Sequence, residues 1–223
     1  METSAIQDLC KTGLFAGISH RDAEHLLSCL DTQVWKYTAA ATVIEEGSCV
    51  RRFGVLLNGQ GRSYRTDPSG RTITITLLRE GSEIGVLLAA SRECKSPVSV
   101  EVSEGSSILF ISCTSLTGSC CKNCPCHKQL LQNFMGIVAQ KGLVLHERID
   151  CLLKPTAREK ILTYLNCISR EKESSSFTIP MDRSAMAEYL NIDRSALSRE
   201  LSRMKADGIL DYYKNQFRLM KSQ

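Results

Sequence analysis

Hydrophobic positions change their period twice along this chain. Leu9, Leu14 and Phe15 precede Gly17, and Ala23, Leu26, Leu27 and Leu30 follow at helical spacing, which predicts a short helical entry over residues 3–30. From Val34 to Leu116 the apolar residues become β-branched and fall in short runs broken by glycine: VWKY, TVIEEG, RFGVLLN, TITITLL, VSVEV and SILFIS. Six or more such runs with turn signals between them predict an antiparallel roll or barrel. Asp67-Pro68-Ser69-Gly70 reads as a hairpin turn that sets residues 61–66 beside 71–77. After residue 127 the helical period returns. Leu130, Leu131, Phe134, Ile137, Val138, Val144, Leu145, Ile149 and Leu152 form a stripe sustained for about seven turns. A stripe of that length, with Gly136, Lys141 and Gly142 along it, predicts a helix that pairs two copies of the chain.

Pro155 ends that helix, and a further helix over 156–169 turns Ile161, Leu162, Leu165 and Ile168 inward. A polar Ser174-Ser175-Ser176 loop and a short strand at Phe177–Ile179 lead to DRSAMAEYLNIDRSALSRELSR, residues 182–203. Here two helices read off the pattern, joined by a tight turn. Asp182 caps the first, Asn191 suits the left-handed turn residue, Ile192 tucks between the helices, and Asp193 caps the second. Leu197, Leu201 and Met204 point inward, which leaves Arg194, Ser195, Ser198, Arg199 and Arg203 on the opposite face. Arginine holds guanine O6 and N7 with two bonds and serine reaches base edges or phosphate, so this face suits a major groove. Gly208 then stops the helix, and two short strands around Lys214-Asn215 make the pair a winged helix-turn-helix.

Composition sharpens this picture. Residues 155–223 hold 12 Lys and Arg against 9 Asp and Glu, so three of the chain's four net positive charges fall with the helix pair. With 223 residues and 43% hydrophobic residues, one large domain or two smaller ones can build a core. No run of 18 apolar residues and no export signal at METSAIQDLCKTG is present, which predicts a cytoplasmic protein with no membrane partner. In that compartment eleven cysteines argue against a disulfide framework, and Cys49, Cys94, Cys151 and Cys167 read as packing. Cys113, Cys120, Cys121, Cys124, Cys126 and His127 crowd into fifteen residues. Three readings stay open for this cluster: a metal ion or iron–sulfur site, a thiol pair poised to oxidise, or plain packing.

Glu45-Glu46-Gly47, Val55-Leu56-Leu57-Asn58-Gly59-Gln60-Gly61, the Asp67–Arg71 hairpin and Gly81-Ser82-Glu83-Ile84-Gly85 resemble the cyclic-nucleotide-binding roll of the CRP/FNR family of bacterial transcription regulators. With the winged helix the resemblance covers essentially the whole chain. It implies an α+β fold: an N-terminal antiparallel β jelly roll as sensor (1–127), a long dimerisation helix (128–154) and a C-terminal winged helix-turn-helix DNA-binding domain (155–223). It also implies a homodimer on a double-stranded DNA operator, with RNA polymerase as a further partner. Base contacts would fall to Arg194, Ser195, Ser198 and Arg199, and phosphate contacts to Arg183, Arg203 and Lys214. The family usually has Glu at the position of Ser195, so a different operator core is expected.

The roll departs from the members that bind cyclic AMP. Those carry Gly-Glu and then Arg-Ser-Ala, whereas this chain has Gly85-Val86 and then Ser96-Pro97-Val98. Valine cannot accept a ribose hydroxyl and serine cannot supply the two-pronged charge of arginine, which speaks against cyclic AMP as the effector. The iron–sulfur members place most ligands near the N-terminus, where this chain has only Cys10 and Cys29. Two other classes compete: a metal- or redox-sensing chain acting through the cysteine cluster, and an enzyme. His20, His25, His127 and His146 are scattered and no GxSxG, HExxH or P-loop occurs, so no catalytic residues are assigned.

Overall fold

The computed structural model describes residues 3–70, 72–118, 125–179 and 181–220. They divide into two compact units, 1–141 and 142–223. In the first unit, helix α1 (Thr3–Cys10), a short 3₁₀ turn (Gly13–Phe15) and helix α2 (His20–Cys29) precede the strands. Ser19 caps α2 by accepting from the Asp22 amide.

Strands β1 (Thr32–Lys36), β2 (Ala41–Ile44), β3 (Arg52–Asn58), β4 (Gln60–Thr66), β5 (Thr72–Arg79) and β6 (Glu83–Ile84) follow, then helix α3 (Val86–Ala89), β7 (Ser99–Val102) and β8 (Ser107–Ser112). They build two antiparallel sheets ordered β1-β8-β3-β6 and β2-β7-β4-β5. Residues 67–70 close the β4–β5 hairpin as the Asp-Pro-Ser-Gly signal implies, with Asp67 Oδ1 accepting from the Ser69 amide at 2.9 Å and Gly70 at a φ of 82°.

The central strands are apolar on both faces for a reason visible in the layering. Leu56, Ile108 and Phe110 point between the sheets, into a core shared with Ile44, Val100 and Val102. Phe53, Val55, Leu57, Leu109 and Ile111 point the other way, onto Leu9, Leu14, Phe15 and Leu26 of the N-terminal helices. The middle of this sheet is therefore sandwiched, and its central strands β3 and β8 cannot alternate apolar with polar.

Helix α4 (Cys113–Thr117) leads to α5 (Pro125–Leu153). The latter begins three residues before the expected 128, so Cys126 and His127 sit in its first turn. Its first half is fastened to the roll: Phe134 packs on Phe53 with ring centroids 4.7 Å apart, and Asn133 Nδ2 donates to the carbonyls of Leu14 and Ala16 at 2.9 Å each. Phe134 is 4% exposed, which corrects its assignment to a subunit seam. Ile137 and Val138 also pack against this core in part. Beyond residue 141 the same stripe emerges, with Val144, Leu145 and Ile149 exposed.

A second correction concerns cysteine pairing, because Cys49 and Cys94 form a disulfide across 45 residues. Neither is packing alone. Backbone bonds from Val50 N to Cys94 O, Ser96 N to Ser48 O and Gly47 N to Ser96 O zip the two segments together and bring their Cα atoms to 4.8 Å.

The second unit contains the end of α5, helices α6 (Ala157–Glu171), α7 (Arg183–Tyr189) and α8 (Arg194–Ala206), and strands β9 (Ser176–Thr178), β10 (Leu210–Tyr213) and β11 (Gln216–Leu219), the sheet running β10-β11-β9. Thr156 and Glu159 form a reciprocal capping box at the start of α6. No helix among the described residues is long and apolar enough to cross a membrane.

Candidate nucleic-acid interface

The turn between α7 and α8 is built as the residue types require. Asp182 Oδ1 accepts from the Ala185 amide at 2.8 Å, and Asn191 takes a φ of 49°. The Ile192 amide closes on the Ala187 carbonyl at 2.9 Å while its side chain packs against the domain core. Asp193 Oδ1 accepts from the amides of Ser195 (2.8 Å) and Ala196 (3.0 Å) and from the Ser195 hydroxyl (2.6 Å). Those bonds, that from the hydroxyl foremost, hold the Asp193 carboxyl below its ordinary range.

Leu197, Leu201 and Met204 are fully buried with Met186, Leu190, Ile161, Leu165 and Phe217. This leaves Arg194, Ser195, Ser198, Arg199 and Arg203 exposed on one face of α8. Among the described residues no carboxylate lies within salt-bridge distance of Arg194 or Arg199, whereas Arg203 leans 3.5 Å from Glu200. Ser198 spends its proton on the Arg194 carbonyl at 3.0 Å and Ser195 spends its own on Asp193, so each hydroxyl meets an incoming ligand as an acceptor. Glu200, which carries no signal in the helical spacing, fixes the helix: Arg158 of α6 donates to it at 2.6 Å and to Asp207 at 2.6 Å.

In the wing, Lys214 sits at the hairpin tip with a φ of 50° and an exposed ammonium 5.7 Å from the Tyr213 ring centroid. Arg183 is placed differently from a free phosphate contact. Its guanidinium lies 4.9 Å from the Tyr212 ring centroid and 4.8 Å from that of Phe217, and it donates to the Lys214 carbonyl at 2.6 Å. Burial lowers its pKa. Arg183 therefore clamps the wing to α7, a role its charge alone did not signal. Arg218 is an exposed wing cation that sequence reasoning missed, and Lys205 is paired with Asp211 at 2.5 Å.

In the roll, Val86 is buried in the core beneath α3, and the buried Ser96 hydroxyl donates to the Val98 carbonyl at 2.6 Å. Both positions are thus committed to packing and to the loop's own backbone. Of the cysteine cluster, Cys120, Cys121 and Cys124 lie outside the described residues. Cys113 is buried and its thiol pKa raised by that burial, which keeps it protonated, and Cys126 packs partly against the roll core. His127 is 8% exposed; its Nε2 lies 2.7 Å from the Leu116 carbonyl, and its buried Nδ1 meets no hydrogen-bond partner among the described residues. No group of three metal-ligating side chains occurs among the described residues.

Two family models match the chain. The cyclic nucleotide-binding domain covers residues 34–119 and the Crp-like helix-turn-helix domain covers residues 159–221. A similar curated protein is the transcriptional activator protein FnrL of Cereibacter sphaeroides, 24% identical over 206 residues that span 85% of this chain and 77% of that one. FixK2 from Bradyrhizobium japonicum has a similar fold, with a TM-score of 0.55 at 20% identity over 86% of this chain and 94% of its own. So does the c-di-GMP-responsive global regulator CLP of Xanthomonas campestris, with a TM-score of 0.58 at 16% identity over 89% and 98%. A nucleotide-binding-type roll, the long α5 and a winged helix pair of the Crp kind thus follow one another in a single sequence, and the chain belongs to the CRP/FNR family of DNA-binding transcription regulators.

Proposed function

We propose that this regulator acts as a homodimer that reads a specific operator through Arg194, Ser195, Ser198 and Arg199, with Arg203 and Lys214 on phosphates. The observation that carries this is the outward face of α8, where Arg194 and Arg199 stand exposed with no carboxylate within salt-bridge distance among the described residues, on a helix whose inner face is fully buried. A rigid helix with unneutralised cations matches a polyanion and costs little to order on binding. Ser195 and Ser198, whose protons are held within the protein, accept from base amino groups. Selection of duplexes from a random library by the full chain tests the reading. Enrichment of an inverted repeat with half-sites about one helical turn apart is the expected result. Binding with no sequence preference refutes it.

The roll, in this proposal, answers to something other than a cyclic nucleotide. Support comes from Val86, whose side chain fills the core, and from Ser96, whose hydroxyl is bonded to its own loop. An unpaired phosphate there would be costly.

A second reading places the signal at the cluster from Cys113 to His127, supported by five cysteines and a histidine within fifteen residues and by a buried His127 Nδ1 with no partner among the described residues. A metal ion or iron–sulfur cluster there would supply a rigid crosslink at the start of α5. Replacing Cys121, Cys124 and Cys126 together with Ser tests it. If operator affinity is unchanged under reducing and oxidising conditions, with and without zinc or iron, the cluster carries no signal.

A further inference from the structure

We propose that Cys49 and Cys94 form a reversible thiol–disulfide couple that exchanges with low-molecular-weight thiols and disulfides and so sets the seating of α3 and α5 on the roll. The two residues differ in access: Cys49 is exposed, whereas Cys94 is 5% exposed. An attacking thiolate therefore bonds to the Cys49 sulfur, and the Cys94 sulfur leaves as a thiolate and takes up a proton. A second small thiol then attacks the mixed disulfide and frees Cys49. Two electrons enter the protein, and two small thiols leave joined as a disulfide. A small disulfide drives the reverse steps.

Cys94 also stands where a released bond has structural consequence. It holds a φ of 50°, a conformation that L residues other than Asn, Asp and His rarely adopt. The disulfide and the backbone bonds between residues 47–50 and 94–96 are what over-determine it. From Cys94 the loop is tied directly to α3, because Ser91 Oγ accepts from the Cys94 amide at 3.0 Å and donates to the Leu88 carbonyl at 2.9 Å. Val86, at the other end of α3, is buried in the core that also contains Phe53 and Phe134, the latter on α5. Gly85 leaves no slack between them: a Cβ there would lie 3.0 Å from Val50 Cγ1, next to Cys49. Cutting the tether lets Cys94 return to an ordinary backbone conformation and loosens α3, so the tethered form keeps α5 in the more uniform seat. Reduction should lower operator affinity.

The effect on DNA rests on the proposed operator reading, whereas the exchange chemistry and its effect on α5 do not. The full chain is equilibrated in glutathione buffers from oxidising to reducing, and thiols are mapped by differential alkylation and mass spectrometry. Hydrogen exchange is then followed over 86–98 and 125–138, and affinity is measured for a duplex selected from the random library. The pair should titrate as one unit, exchange over both segments should rise on reduction, and affinity should fall within the roughly 5- to 150-fold range of allosteric couplings. The double variant Cys49→Ser, Cys94→Ser should bind like the reduced chain in every buffer. The proposal is overturned if the pair stays oxidised in excess reductant, if exchange over 125–138 is unchanged, or if affinity is equal or higher after reduction. A redox response that survives in the double variant overturns it too and points to the cluster near α5. If no duplex is preferred in either state, the operator reading fails, and the alkylation and exchange results still decide the couple.

Discussion

Replacing Arg183 with Ala separates two roles that one positive charge could play. As a phosphate contact, its loss would leave folding intact and flatten the dependence of log K on log salt by about 0.9 per contact. As the clamp seen here, it contributes to folding. The guanidinium donates one charge-assisted bond to the Lys214 carbonyl at 2.6 Å, a contact of about 1.5–3 kcal/mol. It also stacks 4.9 Å and 4.8 Å from the Tyr212 and Phe217 ring centroids, each contact adding about 0.5–1 kcal/mol for a half-buried group. Allowing for water replacing part of the bond, Arg183→Ala should destabilise the C-terminal unit by about 2–3 kcal/mol. Lysine should recover only part of this, since it lacks the planar fork that serves carbonyl and rings together. Urea denaturation followed by circular dichroism measures the first quantity, and DNA affinity from low to moderate salt measures the second. A variant with unchanged midpoint and a slope reduced by about one unit would refute the clamp and restore Arg183 as a phosphate contact.

Arg199→Ala should lose about 1–3 kcal/mol of discrimination between the selected operator and random duplex, while Lys214→Ala should weaken both alike and reduce the salt slope by about one; competition binding at two salt concentrations checks both. Cyclic AMP at millimolar concentration should leave the melting temperature unchanged, whereas a ligand at 100 times its Kd would add ~2.7 kcal/mol, an easily measured upward shift. Leu201→Ala, at a fully buried position beneath α8, should cost about 2–5 kcal/mol in urea denaturation; a loss below ~1 kcal/mol would show that the recognition helix is not held by that core.

What the sequence shows and hides follows the range of the interactions involved. The helix pair is legible because its determinants are local: Asn191 and Asp193 lie within two residues of the turn they shape, and Leu197, Leu201 and Met204 repeat at helical spacing. The β4–β5 hairpin is legible for the same reason. The Arg183 clamp is not, since the rings and the carbonyl it meets lie on a hairpin about thirty residues later, and a lone arginine in a basic domain reads equally as a phosphate contact. The Cys49–Cys94 bond spans 45 residues without a spacing signature, so each cysteine reads in the sequence as an isolated packing residue. Arg158, Glu200 and Asp207 likewise carry ordinary surface charges in sequence and form a fixed triad only once α6 crosses α8.

Helix α5 shows the limit of periodicity most directly and yields the prediction that bears on assembly. Phe134, Val138, Leu145, Ile149 and Leu152 repeat on one helical stripe, but period reports a face and not what covers it. The roll covers the first part, leaving Phe134 at 4% exposure, whereas Leu145 and Ile149 stand at 48% and 53%. A row of large apolar side chains left open on a helix that a self-pairing family uses is best closed by a second copy of the same row. Ile149→Asp would then place a carboxylate in the seam facing its symmetry mate, and the buried, unpaired pair of charges should cost at least ~3 kcal/mol, raising the dimer Kd more than a hundredfold. Phe134→Ala should act on the other half of the stripe, destabilising the roll by about 3–5 kcal/mol while leaving the association of the folded chain unchanged. Sedimentation equilibrium across a dilution series, paired with urea denaturation of each variant, resolves the two effects. If Ile149→Asp stays dimeric at the wild-type Kd, or if Phe134→Ala dissociates the dimer without loss of stability, the division of α5 into a docked half and a pairing half is wrong.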